Sequence, residues 1–171
     1  MTSFHQEHQR VHMQVNIGSV TLHLHTTAHA AGMLEKAVRL LQTEHYDEAL
    51  QLLDKVLLAD EEIADAYYYR GLALLKGKRP KSCLKPNADK ITRDLSAAIN
   101  LDPRQAHYYY LLALVWHDYF LLNGFYANQH EIRSLLVEAD NYPIDIPKCK
   151  ELLRHTNSPS SPIVDILKQR F

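Results

Sequence analysis

Histidine is concentrated near the N-terminus of this 171-residue chain, where six of the eleven histidines fall within the first 29 residues. Three of them, His12, His23 and His25, share one face of a predicted two-stranded hairpin. Their ring nitrogens are able to bind a metal, and imidazoles facing each other across strands repel when both are protonated below about pH 6. A structural metal site normally takes four ligands, and no cysteine or close carboxylate accompanies these three. We therefore assign no metal or other cofactor and keep the three histidines as candidates for a metal- or pH-responsive site.

A second chemical feature is a cationic stretch in the middle of the chain. Residues 76–93 contain seven basic residues and one acidic residue, whereas the net charge of the whole chain is −1. Such a patch is able to contact phosphate groups or an acidic partner. It lacks the interleaved aromatic residues on which single-strand binders stack bases, so nucleic acid is the weaker alternative. The candidate contact residues are Lys76, Lys78, Arg79, Lys81 and Lys85.

Sequence patterns that carry catalysis are missing. The chain has no glycine-rich phosphate loop, no HExxH zinc motif and no GxSxG nucleophile turn. The side chains of the neighbours His117 and Asp118 are expected to diverge on a helix and to form no acid–base pair. Cys83 lies in the cationic stretch, where lysines lower the pKa of a thiol, but no base is placed beside it. We therefore expect a protein that is not an enzyme.

The composition limits the class of protein further. With 46% apolar and 23% charged residues, 5 glycines and 7 prolines, the chain is neither disordered nor collagen-like. Two distant cysteines make no disulfide framework, which fits a reducing compartment. No apolar run is long enough to span a bilayer, and the N-terminus lacks the pattern of an export signal. We expect a cytoplasmic protein that does not bind membranes.

The elements that carry these residues are a hairpin and a set of helices. Residues 1–29 form the predicted N-terminal β-hairpin segment, because apolar residues alternate with polar ones on both sides of Gly18–Ser19. A lone hairpin must bury its apolar face, either on its own helices, on a second copy or on a partner. We predict that the hairpin serves self-association or docking, so that a homo-oligomer is possible. Its apolar face consists of Val11, Met13, Val15, Ile17, Val20, Leu22 and Leu24.

From residue 30 the apolar period changes from two to that of a helix, which defines a helical domain over 30–171. Proline at position 103 is expected to end one helix and begin the next. The last two helices are expected to cap the open end of the helical stack. Helices are predicted at about Asp65–Leu75, Asp89–Leu101, His130–Ala139, Ile146–His155 and Pro162–Arg170, after two that carry Leu34 to Leu41 and Ala49 to Leu57.

The helical domain contains an internal repeat. The segment Ala66–Leu75 is echoed by Ala106–Val115, each with a run of three tyrosines, and Ala37 lies twelve residues before Ala49. With Tyr46-Asp47-Glu48-Ala49-Leu50 and these small residues at helix crossings, residues 30–142 resemble the tetratricopeptide repeat family. The resemblance implies a mainly α fold: a short helix-turn-helix solenoid of about three units, the last degenerate, plus capping helices and the N-terminal hairpin.

The same resemblance implies a function. Members of this family are mostly non-enzymatic scaffolds that bind a peptide or a helix in a concave groove lined by the first helix of each unit. Leu34 and Val38 stand where one subfamily has a lysine–asparagine clamp for carboxylates, so the groove is expected to be aromatic and aliphatic. We predict an adaptor that binds another protein or peptide, or alternatively a regulatory sensor subunit working through the N-terminal histidines. The expected groove residues are Leu34, Val38, Leu41, Tyr68, Leu72, Leu75, Lys76, Tyr110, Leu114, His117 and Asp118, whereas Tyr67, Tyr69, Tyr108 and Tyr109 are expected to be mostly structural.

Overall fold

A computed structural model describes residues 28–125 and 127–171, and all regular secondary structure in these two ranges is helical. The first helix, α1, occupies residues 28–42, so residues 28 and 29 belong to the helical part and not to the hairpin segment. The predicted hairpin and its apolar face lie outside the described residues. The mainly α fold class is confirmed. The other helices are α2 (Tyr46–Ala59), α3 (Ala64–Leu75), α4 (Lys85–Leu101), α5 (Ala106–Val115), α6 (Gln129–Asp140), α7 (Ile146–Thr156) and α8 (Pro162–Lys168).

Local sequence signals account for several helix ends. Helix α4 ends at Leu101, directly before the Asp102–Pro103 pair, as predicted. Asn128 caps α6 by accepting a hydrogen bond from the backbone N–H of His130 at 2.9 Å, and Asp145 caps α7 in the same way from Lys148 at 3.1 Å. The predicted helix boundaries agree with the structure to within a few residues.

Helices α2 to α6 pack in chain order. Helix α2 packs on α3, α3 on α4, α4 on α5 and α5 on α6. Small residues lie at the crossings: Ala37 and Ala49 are fully buried, and Gly71 faces Ile91 and Leu111 across the contacts of α3 with α4 and α5. All ten residues of α5 are buried, because this helix is covered on several sides.

The last two helices, α7 and α8, do not cap the end of the stack. Helix α7 packs on α3 and α5, and α8 packs on α5. At the far side α7 also reaches α1, where the Gln42 side-chain amide donates a hydrogen bond of 2.5 Å to Glu151. Helices α1, α3 and α5 are the first helices of the three predicted units, and we call the side that they build the first-helix face. The prediction of terminal capping is therefore wrong, because α7 and α8 bury their apolar side chains on this face.

Two irregular segments separate the regular helices. The cationic stretch contains a short 3₁₀ turn, Pro80–Ser82, and a left-handed Gly77 with φ of +66°. After α5 the chain continues as a π-helix over Trp116–Leu121, whose wider turn changes the direction of the following side chains. No helix within the described ranges is long and apolar enough to cross a bilayer.

Candidate functional site

The structure places the predicted groove residues on the first-helix face, but the groove is filled. Tyr68, Leu72, Tyr110 and Leu114 each have 0% exposure because α7 and α8 cover them. The prediction that these residues line an open groove is therefore wrong. Of the remaining candidates, Leu41, Leu75 and Asp118 are also buried, Leu34, Val38 and His117 are half-buried, and Lys76 is exposed.

The covering helices contribute an apolar layer of their own. On α7 the buried residues include Cys149 and Leu152, and on α8 they are Ile163, Val164 and Leu167. Burial raises the pKa of the Cys149 thiol to about 12, so this cysteine is unreactive in the folded chain. The first-helix face and the C-terminal helices thus share one hydrophobic core.

Asp65, at the start of α3, anchors the beginning of α7. Its carboxylate accepts hydrogen bonds from the Lys148 ammonium at 2.8 and 2.7 Å and from the Tyr108 hydroxyl at 2.6 Å. Burial raises the pKa of Asp65, but the hydrogen bonds from Lys148 and Tyr108 and the positive charge of Lys148 outweigh burial and lower it. Beside this cluster the Tyr68 hydroxyl donates to the backbone carbonyl of Lys148 at 3.1 Å.

His107 is packed against this cluster without a hydrogen bond of its own. Its ring has 0% exposure and lies edge-on to Tyr68 and Tyr108, with centroid distances of 4.7 and 4.5 Å. Its Nε2 is 3.9 Å from Asp65, which is too far for a hydrogen bond, and neither ring nitrogen has a partner among the described residues. Burial lowers the pKa of His107, so the ring is neutral near pH 7.

Asp118, in the π-helix, anchors the beginning of α8. Its fully buried carboxylate accepts hydrogen bonds from Arg79 and Ser161, both at 2.7 Å. His117 Nδ1 also lies 2.8 Å from the same carboxylate, so the prediction that His117 and Asp118 diverge is wrong. Burial raises the pKa of Asp118, but the bonds from Arg79, His117 and Ser161 lower it overall. The Asp118 carboxylate thus joins Arg79, His117 and Ser161, and through Ser161 it holds the beginning of α8 in place.

Two further polar contacts hold the outer ends of the C-terminal helices. Arg170, after α8, contacts Asp140 and lies 3.3 Å from the Tyr110 hydroxyl. At the end of α7, His155 Nδ1 lies 3.1 Å from the Tyr46 hydroxyl. Lys148, Ser161 and Arg170 were not among the predicted site residues, because their partners come from residues far along the chain.

The cationic stretch is largely neutralised within the chain. Lys76 pairs with Asp47 at 2.5 Å, Lys85 pairs with Asp89 at 2.7 Å, and Arg79 is engaged by Asp118. Lys78 and Lys81 are exposed. Burial raises the pKa of the Cys83 thiol, which contradicts the expectation that nearby lysines lower it.

The metal-binding prediction concerns residues outside the described ranges, since His12, His23 and His25 precede residue 28. Within residues 28–125 and 127–171, no group of three or more histidine, cysteine or acidic side chains is arranged to hold a metal ion.

An apolar groove that sequence reasoning missed lies on another side of the molecule. We call it the Trp116 groove, and it consists of two cavities of about 250 and 340 Å³ that share Trp116 and Glu131. Thr92, Phe120 and Ala127 complete the first cavity, and Tyr109, Ser134, Leu135 and Glu138 complete the second.

The elements that build the Trp116 groove explain why it was overlooked. The position of Trp116 as the first residue of a π-helix is not visible in the sequence. In the π-helix Asp118 and Tyr119 are buried, whereas Trp116 and Phe120 remain half-exposed beside α6. The spacing of Tyr109, Trp116 and Phe120 by seven and four residues was the available signal, since this spacing puts three aromatic rings on one helix face.

Comparison with known proteins gives one distant similarity. The chain is 34% identical over 79 residues to the protein described as "58 kDa phosphoprotein" from Plasmodium berghei. The aligned part covers 46% of this chain but 17% of that protein. No protein-family model matches the chain, and no solved structure matches it.

Proposed function

We propose that this chain is a non-enzymatic protein-interaction module of the tetratricopeptide-repeat kind, in which partners bind outside the first-helix face. The observation that carries the proposal is the filling of that face by α7 and α8. A ligand in the expected groove would compete with the Asp65 and Asp118 clamps and with the apolar layer of both C-terminal helices. Displacing them would return several large apolar side chains to water, at roughly 1.5–3 kcal/mol each.

The internal repeat, the packing of consecutive helices on one another and the buried small residues support the assignment to this repeat class. The filled face gives the adaptor hypothesis a different form. Helices α7 and α8 complete the core where the expected ligand would lie, and the proposed partner binds an outer surface such as the Trp116 groove.

The experiment that tests this proposal uses the two cysteines of the chain. In a Cys83→Ser variant, Cys149 is the sole thiol and reports whether α7 stays in place. The immobilised full chain is first used to capture proteins from an extract. Each captured protein is then purified and added in increasing amounts to the Cys83→Ser variant, and the rate of Cys149 labelling is measured at each concentration. We expect the partner to bind saturably. In the bound chain, Cys149 should be labelled at least about a hundredfold more slowly than in the unfolded chain, because its thiol is exposed only when the chain unfolds.

Two results would overturn the proposal. Labelling of Cys149 that accelerates as the partner saturates the chain would place the partner on the first-helix face. The absence of any saturable protein partner would remove the adaptor class itself.

A further inference from the structure

We propose that the Trp116 groove binds an amphipathic helix whose apolar stripe is flanked by lysine or arginine residues. This inference rests on the proposed function and specifies the surface and the chemistry of the partner. In this groove the half-buried side chains of Trp116, Phe120 and Leu135 lie beside the carboxylates of Glu131 and Glu138.

The size and lining of the groove favour side chains of a protein segment. Cavities of about 250 and 340 Å³ lie near the lower limit of pockets that enclose a small molecule. They are open and lined mainly by apolar atoms, with Trp116 between them. One large apolar side chain on each side of the tryptophan ring would occupy such a surface.

The length and direction of the groove favour a helix. Tyr109, Trp116 and Phe120 follow one face of α5 and the π-helix. The distance along the helix axis from Tyr109 to Phe120 is about 16 Å at the α-helical rise of 1.5 Å per residue. Along the opposite wall, Glu131, Leu135 and Glu138 follow one face of α6. A partner helix of about three turns would lie parallel to both walls and place its apolar stripe on the aromatic floor.

The charge of the groove selects the flanking residues of that partner. Glu131 and Glu138 are seven residues apart on α6, which separates them by about 10.5 Å. Neither forms an ion pair among the described residues, and no lysine or arginine of these residues lines either cavity. Glu138 only accepts hydrogen bonds from Tyr142 at 2.9 Å and from Asn141 at 3.3 Å. Two basic residues about seven positions apart on the partner helix would match these carboxylates.

The test uses a displayed library of helical peptides and the fluorescence of Trp116, which is the sole tryptophan of the chain. Peptides of about 15 residues, the length at which isolated helices begin to form, are selected on the full chain. The same library is selected on a Glu131→Lys/Glu138→Lys variant and on a Glu48→Lys/Glu62→Lys control. The control variant changes the net charge by the same amount as the groove variant, but at exposed positions outside the groove: Glu48 is on α2 and Glu62 precedes α3.

We expect the wild type and the control to enrich peptides with an apolar stripe and two basic residues. The enriched peptides, prepared without aromatic residues, should shift the Trp116 emission in a saturable way. Their affinity should fall about tenfold or more in the Glu131→Lys/Glu138→Lys variant and weaken with salt. Leu135→Ala should weaken binding without changing the salt dependence.

Either of two outcomes would overturn this inference. One is enrichment of the same or of acidic sequences on the Glu131→Lys/Glu138→Lys variant, and the other is the absence of any basic amphipathic peptide that shifts Trp116 emission. The proposed function is judged separately by Cys149. A natural partner that leaves Cys149 protected and Trp116 emission unchanged would contradict the groove assignment alone.

Discussion

At the scale of single residues, one half-buried carboxylate, Asp65, and one buried carboxylate, Asp118, hold the beginnings of the C-terminal helices. Asp65 and Asp118 each accept hydrogen bonds from a residue close to the start of α7 or α8. A buried charge is tolerated only when it is paired and hydrogen-bonded, and both carboxylates satisfy this condition. Each carboxylate therefore favours one register of the helix that it holds.

The Asp118 clamp leads to a first prediction. We expect Asp118→Ala to lower the free energy of unfolding by about 3 kcal/mol, because Arg79 and Ser161 lose their acceptor in a largely buried place. Urea titration followed by circular dichroism measures this change. The control is Asp47→Ala, which removes an exposed ion pair with Lys76 and should change the free energy by no more than about 1 kcal/mol. Equal losses in the two variants would contradict the structural role of Asp118.

His107 leads to a second prediction, on pH. Burial lowers the pKa of its ring in the folded chain, whereas in the unfolded chain the pKa is about 6.5. Below pH 6.5 the unfolded chain binds the extra proton, so the free energy of unfolding should fall as the pH decreases from about 7 to 5. The nearby Asp65 raises the pKa of His107 and Lys148 lowers it, but the effect of burial is larger.

Urea midpoints measured between pH 5 and pH 8 test this dependence. A His107→Phe variant keeps an aromatic ring between Tyr68 and Tyr108 and removes the titrating group, so its stability should depend less on pH. His155 is also buried with a lowered pKa and should account for part of the remaining slope. If the free energy of unfolding changed equally with pH in the wild type and in the His107→Phe variant, His107 would not be the source of the pH dependence.

At the scale of elements, the helix crossings and the tight turns require different backbone properties. Gly71 is inside α3 with ordinary helical geometry, and an added Cβ would lie 3.5 Å from Ile91, which is a normal contact. Gly77 follows the end of the same helix with a left-handed φ of +66°, and its Cβ would lie 2.7 Å from the Tyr46 hydroxyl. Gly71 can therefore be replaced by alanine without a clash, whereas Gly77 cannot.

This difference gives a third prediction, with two matched substitutions. Gly71→Ala should raise the free energy of unfolding by about 0.5–1 kcal/mol, because alanine loses less backbone entropy in a helix. Gly77→Ala should lower it by about 1–2 kcal/mol or more, because the left-handed backbone is strained and the Tyr46 hydroxyl must move. Thermal unfolding of both variants measures the effects. A destabilising Gly71→Ala would mean that α3 and α4 lie closer together than the structure indicates.

At the scale of the whole molecule, α7 joins helices that are distant along the chain. It contacts α1, α3 and α5 through the Gln42–Glu151 bond, the Asp65 cluster and the shared apolar layer. Repeat arrays often unfold in parts because each repeat contacts only its neighbours. Because α7 contacts α1, α3 and α5, we expect it to couple the unfolding of these three helices.

A fourth prediction follows for unfolding. We expect one transition in urea, with the same midpoint for Trp116 fluorescence, which reports on the third unit, and for circular dichroism, which reports on all helices. Leu152→Ala should lower both midpoints equally, by a free energy of about 2–5 kcal/mol, since it opens a cavity between α7 and the first-helix face. Two separate midpoints, or a shift in one probe only, would contradict this coupling.

The helices and their approximate ends could be predicted from the sequence, because apolar periodicity and proline act within a few positions of the chain. The sequence also indicated which residues are apolar enough to be buried, including the tyrosines of α3 and α5. The tertiary structure alone decided what covers them, because an apolar face has the same pattern whether it meets a partner or helices of its own chain. The same is true of the Asp65 and Asp118 clamps, whose partners are up to 83 residues away, and of the π-helix that leaves Trp116 at the surface. Long-range packing sets these contacts, and no local pattern encodes them.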